Sequence, residues 1–189
     1  MTIEILHKKL DRNLCYFLVL NIIVMLFISC SDKKTSPEQI KRGSFLLSKQ
    51  NDSLHYLSVN KVDTATWWKL PYPVYAFQTG DINKDGVEDA LVGVVKQTRF
   101  HPKKAKRLFI FKNYKGLVRP LWLGSRLSQP LVDFRFKKTE KQTRIRSVEK
   151  EKSGKYLVAE YKWRKFGLEF TRYLKREIDS IAALSLLEN

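Results

Sequence analysis

In the segment "LVDFRF", Val132, Phe134 and Phe136 alternate with Asp133 and Arg135. A period of two puts one face of an extended chain in a core and the other in water. "YLVAEYKW" follows the same rule through Leu157, Ala159, Tyr161 and Trp163. Similar short apolar runs, separated by turn-rich pieces such as "NYKG", "EKSG" and "RKFG", recur from residue 74 to residue 174. Strands are expected at 74–79, 90–97, 107–112, 117–123, 130–137, 144–150, 155–163 and 166–174. Regular spacing with tight turns predicts an all-β antiparallel meander of about eight strands. "GSRLSQ", residues 124–129, divides them into two four-stranded, blade-like sheets.

The flanks read differently. Ser36, Pro37 and Gln39 form a helix-start pattern of N-cap, N1 proline and capping box. With Ile40, Leu46 and Leu47 as a partial apolar face, they predict a short N-terminal helix interrupted by Gly43. "SLHYLSV" predicts one short strand, and "TATWWKLPYP" a packed loop whose Trp67 and Trp68 close the end of a core. The tail "IDSIAALSLLEN" predicts a short helix covering an edge or end of the sheet.

The first thirty residues change the picture. Lys8, Lys9 and Arg12 precede an apolar run from Cys15 to Ser29, and Cys30 follows. A basic region followed by an apolar region of about 15 residues reads as an export signal; a membrane span needs about 20. Phe27-Ile28-Ser29-Cys30 resembles the lipobox of bacterial lipoproteins, in which the cysteine is lipidated and becomes the new N-terminus. The resemblance implies a signal peptide at 1–29, a tether at 30–36 and one β-rich domain at 37–189. It also implies a cell-envelope address and a membrane anchor through lipidated Cys30. Ser31 rather than Asp follows Cys30, which by resemblance to enteric sorting favours the outer membrane. Cleavage would remove Cys15, one of only two cysteines, so no disulfide is available to the exported chain.

The chain carries a formal net charge of +17, of which residues 1–29 contribute +1. An exported chain with about +16 is a poor candidate for genomic nucleic acid and a better one for acidic proteins or anionic glycans. Between Asp89 and Asp133 there is no acidic residue, and ten lysines and arginines fall in that interval. "KQTRFHPKKAKR" is expected as an exposed loop, with Lys103, Lys104, Lys106 and Arg107 able to grip phosphates or sulfates. The alternative function is therefore a binder of polyanions, either anionic glycan or lipopolysaccharide. Simple solubility and edge protection account for the same lysines. No zinc spacing, nucleophile elbow, P-loop or dinucleotide fingerprint occurs, so no enzyme activity is expected.

Against this basic background, Asp81, Asp85, Glu88 and Asp89 place four carboxylates within nine positions. Asp81, Asn83, Asp85 and Gly86 stand at positions 1, 3, 5 and 6 of a calcium-loop pattern. Position 12 is Val92, inside an apolar run, so the loop is not an EF-hand. Asn83, Asp85 and Gly86 also suit an ordinary β-turn, but a turn leaves the carboxylate repulsion unexplained. D-x-N-x-D-G-x-x-D between two strands resembles the FG-GAP and VCBS-type repeats, which build integrin-like β-propeller blades. The resemblance covers roughly residues 74–121. It implies calcium, Ca2+, held by Asp81, Asn83, Asp85 and Asp89 with the Val87 carbonyl. It also implies a binding or scaffolding module at the cell envelope.

Overall fold

The computed structural model describes residues 38–59, 67–99, 101–124, 127–140 and 142–189. All belong to one compact unit, Pro37–Asn189. The fold is all-β, and the described residues form twelve strands and one short helix. Sheet 1 comprises β1 (Glu38–Arg42), β2 (Phe45–Asn51), β3 (Leu54–Val59) and β4 (Trp68–Leu70). Sheet 2 comprises β5 (Val74–Gly80), β6 (Asp89–Thr98), β7 (His101–Tyr114) and β8 (Leu117–Leu123). Sheet 3 comprises β9 (Leu131–Lys138), β10 (Thr143–Lys150), β11 (Tyr156–Arg164) and β12 (Gly167–Ile178). In each sheet the strands pair antiparallel with their chain neighbours. The helix α1 spans Ser180–Glu188.

The eight expected strands are present as sheets 2 and 3. The N-terminal helix is not: residues 38–51 form the β1–β2 hairpin, and the described residues form three sheets where two were expected. Gly43 turns the chain at φ +50°, which no helix interior accepts. The capping-box signature is local, and a partner 44 residues away overrides it. The Ser44 amide donates to Glu88 Oε2 at 2.7 Å, and a Cβ at position 43 would overlap the same carboxylate. The "WWKL" segment also pairs as β4, against His55–Leu57 of β3. Trp68 packs near Phe111 against the core between sheets 1 and 2, and the Trp67 ring lies beside Tyr56.

Sheet 2 lies between the other two. Phe77, Val92, Val94, Phe109 and Phe111 face Phe45, Leu47, Leu57 and Leu70 of sheet 1. Leu91, Leu108 and Ile110 face Phe134, Ile145, Leu157 and Ala159 of sheet 3. With both faces covered, β6 is buried continuously from Asp89 to Val94. That explains why "ALVGVV" reads as an unbroken apolar run rather than an alternation. The first strands, β1, β5 and β9, jointly line one open cleft of about 930 Å³.

Helix α1 covers the outer face of sheet 3, not its edge: Ala183 and Leu187 bury against Val148 and Val158. Asp179 caps it by accepting from the Ala182 amide at 2.9 Å, which holds the Asp179 carboxyl below its usual range. At the other end Arg146 donates to the Leu186 carbonyl at 2.8 Å, and Lys137 to the Glu188 carbonyl. Cations there complement unpaired carbonyls and the helix dipole. One period differs from expectation: the β9–β10 register shifts between Val148 and Glu149, and Val132 lies with the helix-side cluster while Phe134 faces sheet 2. A β-bulge has turned Val132 to the opposite face.

Candidate functional site

The acidic loop joins β5 to β6 and touches all three sheets. Ile82, fully buried, inserts into the core between sheets 2 and 3, and its carbonyl accepts from Thr143 Oγ1. Glu88 leaves the loop's interior and accepts from the Ser44 amide and hydroxyl of the β1–β2 turn. Sequence counting placed Glu88 in the acidic cluster; the fold assigns it to sheet 1.

The remaining acids wrap loop amides. Asp81 accepts from the Asp85 amide at 3.1 Å and the Gly86 amide at 3.0 Å. Asn83 Oδ1 accepts from the Asp85 amide at 3.1 Å. Asp85 accepts from the Val87 amide at 2.9 Å and from Asn83 Nδ2 at 2.8 Å. Gly86 provides the φ of +82° that the turn requires. The Val87 side chain is exposed, which leaves its backbone as the group for a ligand role.

Asp89 differs from the others because it opens β6 and is fully buried. Its Oδ2 accepts from the Ile82 amide at 3.1 Å, while Oδ1 has no hydrogen-bond partner. Burial pushes its carboxyl up to about 7, with smaller contributions from Asp85 and Asp81 and opposition from the Ile82 and, more weakly, the Asn83 backbone amides. A buried, half-satisfied carboxylate is costly. Among the described residues no three His, Cys, Asp or Glu side chains form a ready-made ion cage. The donor set nevertheless fits a hard cation. All its ligand atoms are oxygen, a carboxylate oxygen that accepts one amide keeps a second lone pair, and Asp89 Oδ1 is unsatisfied at the loop's base.

The basic stretch is not a loop. Its tip is confined to the Thr98–His101 turn, and Lys103, Lys104, Lys106 and Arg107 lie within β7, which pairs with β6. Lys103 and Lys104 are exposed. Lys106 is tied to sheet 3, donating to the Val132 carbonyl at 2.9 Å with its ammonium 4.6 Å from the Tyr75 ring centre. Arg107 contacts His101. The four cations are therefore not one uniform patch. Cys30 and the segments 1–29 and 30–36 lie outside the described residues. Among the described residues no helix is long and apolar enough to cross a membrane.

Glu149 was not anticipated. It is fully buried, and four donors reach it: Ser128 Oγ, the Gln129 amide, Ser147 Oγ and Tyr161 Oη. The signal was available, since Ile145, Ser147 and Glu149 share a period of two and a charge in that register must be buried and paired.

No protein-family model, curated protein or solved structure matches the chain.

Proposed function

We propose that this chain is an exported, lipid-anchored module of the cell envelope, built to bind or scaffold another envelope component and ordered by calcium in an FG-GAP-like loop. The observation that carries this reading is the unpartnered, buried Asp89 Oδ1 beneath three further oxygen-bearing side chains. A divalent cation would neutralise that oxygen and the repulsion among Asp81, Asp85 and Asp89. Contacts from the loop to both neighbouring sheets support an architectural role for the ion. Three sequential four-stranded meanders suit a blade-like series, although a closed propeller needs at least about four. Asp81, Asn83, Asp85, Asp89 and the Val87 carbonyl would hold the ion. The lipobox-like residues ending at Cys30 support the anchor. Several acyl chains, at about 0.8 kcal/mol per buried methylene, would make anchoring effectively permanent.

The test is a calcium titration of the full chain in zwitterionic nanodiscs, read by calorimetry and by melting temperature. Extracellular sites have dissociation constants of about 10⁻⁴–10⁻³ M, so millimolar calcium should add roughly 0.4–1.4 kcal/mol. Absence of heat and of any thermal shift up to 10 mM, taken as roughly ten times the weakest expected constant, would remove the calcium reading. Metabolic labelling with an alkyne fatty acid should mark the wild-type chain and not Cys30→Ser. Equal labelling of both would remove the anchor.

A further inference from the structure

A cleft of about 490 Å³ opens between the tip-proximal part of β7 and residues 127–131, which lead into sheet 3. Its volume falls within the roughly 300–1,000 Å³ that small-molecule sites occupy. Ala105, Leu108, Leu127 and Leu131 make its wall largely apolar, and Arg107 and Lys106 supply charge. No carboxylate lines it. Nor does an ion pair reach Arg107 among the described residues: its only hydrogen-bonding neighbour is His101, and its Nε is buried without a partner.

That single hydrogen-bonding contact among the described residues is compromised. His101 Nδ1 lies 3.1 Å from Arg107 Nη2 and 3.1 Å from the Lys103 carbonyl. A ring nitrogen that donates to the carbonyl carries its proton there and cannot accept from the guanidinium. One that accepts from the guanidinium leaves the carbonyl unserved. One contact is always unmade. Glu149, which accepts from Ser128 and Gln129 beside the cleft, is engaged by four other donors and makes no ion pair with Arg107 among the described residues. A guanidinium in an apolar wall, with unused donors and no acid, is the complement of a planar anion.

We propose that this cleft binds a small carboxylate-headed apolar molecule, with Arg107 taking the carboxylate and the leucines taking the body. Lys106, held at the rim by the Val132 carbonyl, adds a second positive charge. The site is independent of the calcium loop. The β6–β7 tip and the β5–β6 loop lie at opposite ends of an up-and-down meander.

The experiment titrates ¹³C-carboxyl octanoate against the full chain in zwitterionic nanodiscs, followed by carbon NMR, with empty nanodiscs as reference. Octanol and inorganic phosphate are run as competitors. Saturable octanoate binding is expected, with octanol and phosphate each at least tenfold weaker. Arg107→Met, which keeps length and removes charge, should weaken octanoate at least tenfold. Lys103→Met/Lys104→Met, which removes two exposed charges from the same strand, should leave it unchanged. If Arg107→Met does not fold by circular dichroism, Ala105→Trp, which fills the cleft from a partly exposed position, takes its place and should abolish binding. The proposal is overturned if octanol competes as well as octanoate, if phosphate alone matches it, if the double lysine variant loses as much as the arginine variant, or if no saturable binding occurs.

Discussion

In calcium-free buffer at pH 8, Asp89→Asn should raise the melting temperature, although it alters a fully buried group at the start of a core strand. The reason is the sign of the linkage. Asp89 binds its proton more tightly when folded, up to about 7 against an ordinary 3.8, because burial disfavours the charge. Between those values the folded chain holds a proton that the unfolded chain has released, so stability falls as pH rises through that window. Below it the cost is absent; above it the cost is complete. The gap corresponds to on the order of 4 kcal/mol. An asparagine removes the charge but leaves its own amide in place of the unpartnered Oδ1, which returns about 1–3 kcal/mol of that gain. A net gain of about 2 kcal/mol, or roughly 4–8 °C, is expected for a unit of this size. At pH 4 the gain should vanish, because wild-type Asp89 is then already protonated. The acids that are depressed on folding, such as Glu151 and Asp179, titrate equally in both proteins and cancel in the difference. On the calcium reading, millimolar calcium should narrow the gap: the wild type should gain roughly 0.4–1.4 kcal/mol and Asp89→Asn should not. Thermal melts at two pH values, with and without the ion, give all four comparisons. A variant that is less stable than wild type at pH 8 without calcium, or that keeps the calcium response, would contradict the assignment of Asp89 as the buried ligand.

The parts of this structure visible from sequence were those fixed by short-range physics. Alternation at Leu157, Ala159, Tyr161 and Trp163 needs only the strand period, and those four residues share one buried face. Turn chemistry at "NYKG" and "RKFG" locates hairpins by the φ their residues tolerate, with Lys115 and Lys165 both at positive φ. What failed depended on distant partners. The helix-start signature of Ser36, Pro37 and Gln39 was sound locally and lost to pairing with β2 and to Glu88. The third sheet was hidden because β4, Trp68–Leu70, has only three residues, too few to display a period of two. Alternation at Val132 was broken by a bulge. At the acidic loop, spacing identified the residues but could not show which carboxylate would be left half-satisfied. That property belongs to burial at the start of β6, which spacing does not encode. The cleft beside Arg107 was legible only as positive charge, since its apolar wall comes from residues up to 24 positions further along the chain.

Glu149→Ala should cost about 3 kcal/mol, because it strips four donors of one charged acceptor and leaves the part-buried Gln129 amide unserved. The carboxylate lies at the junction where residues 127–130 leave sheet 2 and enter sheet 3. Ser128 Oγ at 2.8 Å, Ser147 Oγ at 2.7 Å and Tyr161 Oη at 2.7 Å donate to it, together with the Gln129 amide. Tyr161 in turn accepts from the Ser128 amide at 3.0 Å, so one carboxylate and one phenol fix the linker's backbone. The three hydroxyls can rotate to other acceptors when the carboxylate is removed; the Gln129 amide cannot. Glu149→Gln should therefore cost much less than alanine, on the order of 1–2 kcal/mol. Its amide oxygen can serve Ser128 and Gln129, while its NH₂ donates to Ser147 and Tyr161 as acceptors. Glu149→Leu keeps most of the volume and none of the acceptors, and should fall close to alanine. Urea melts of the three variants separate the causes. If leucine matches wild type, the junction is held by packing and not by hydrogen bonds. If glutamine is as damaging as alanine, the negative charge itself is required. The expected order, wild type above glutamine and glutamine well above leucine and alanine, holds only if buried polar satisfaction is what joins sheet 2 to sheet 3.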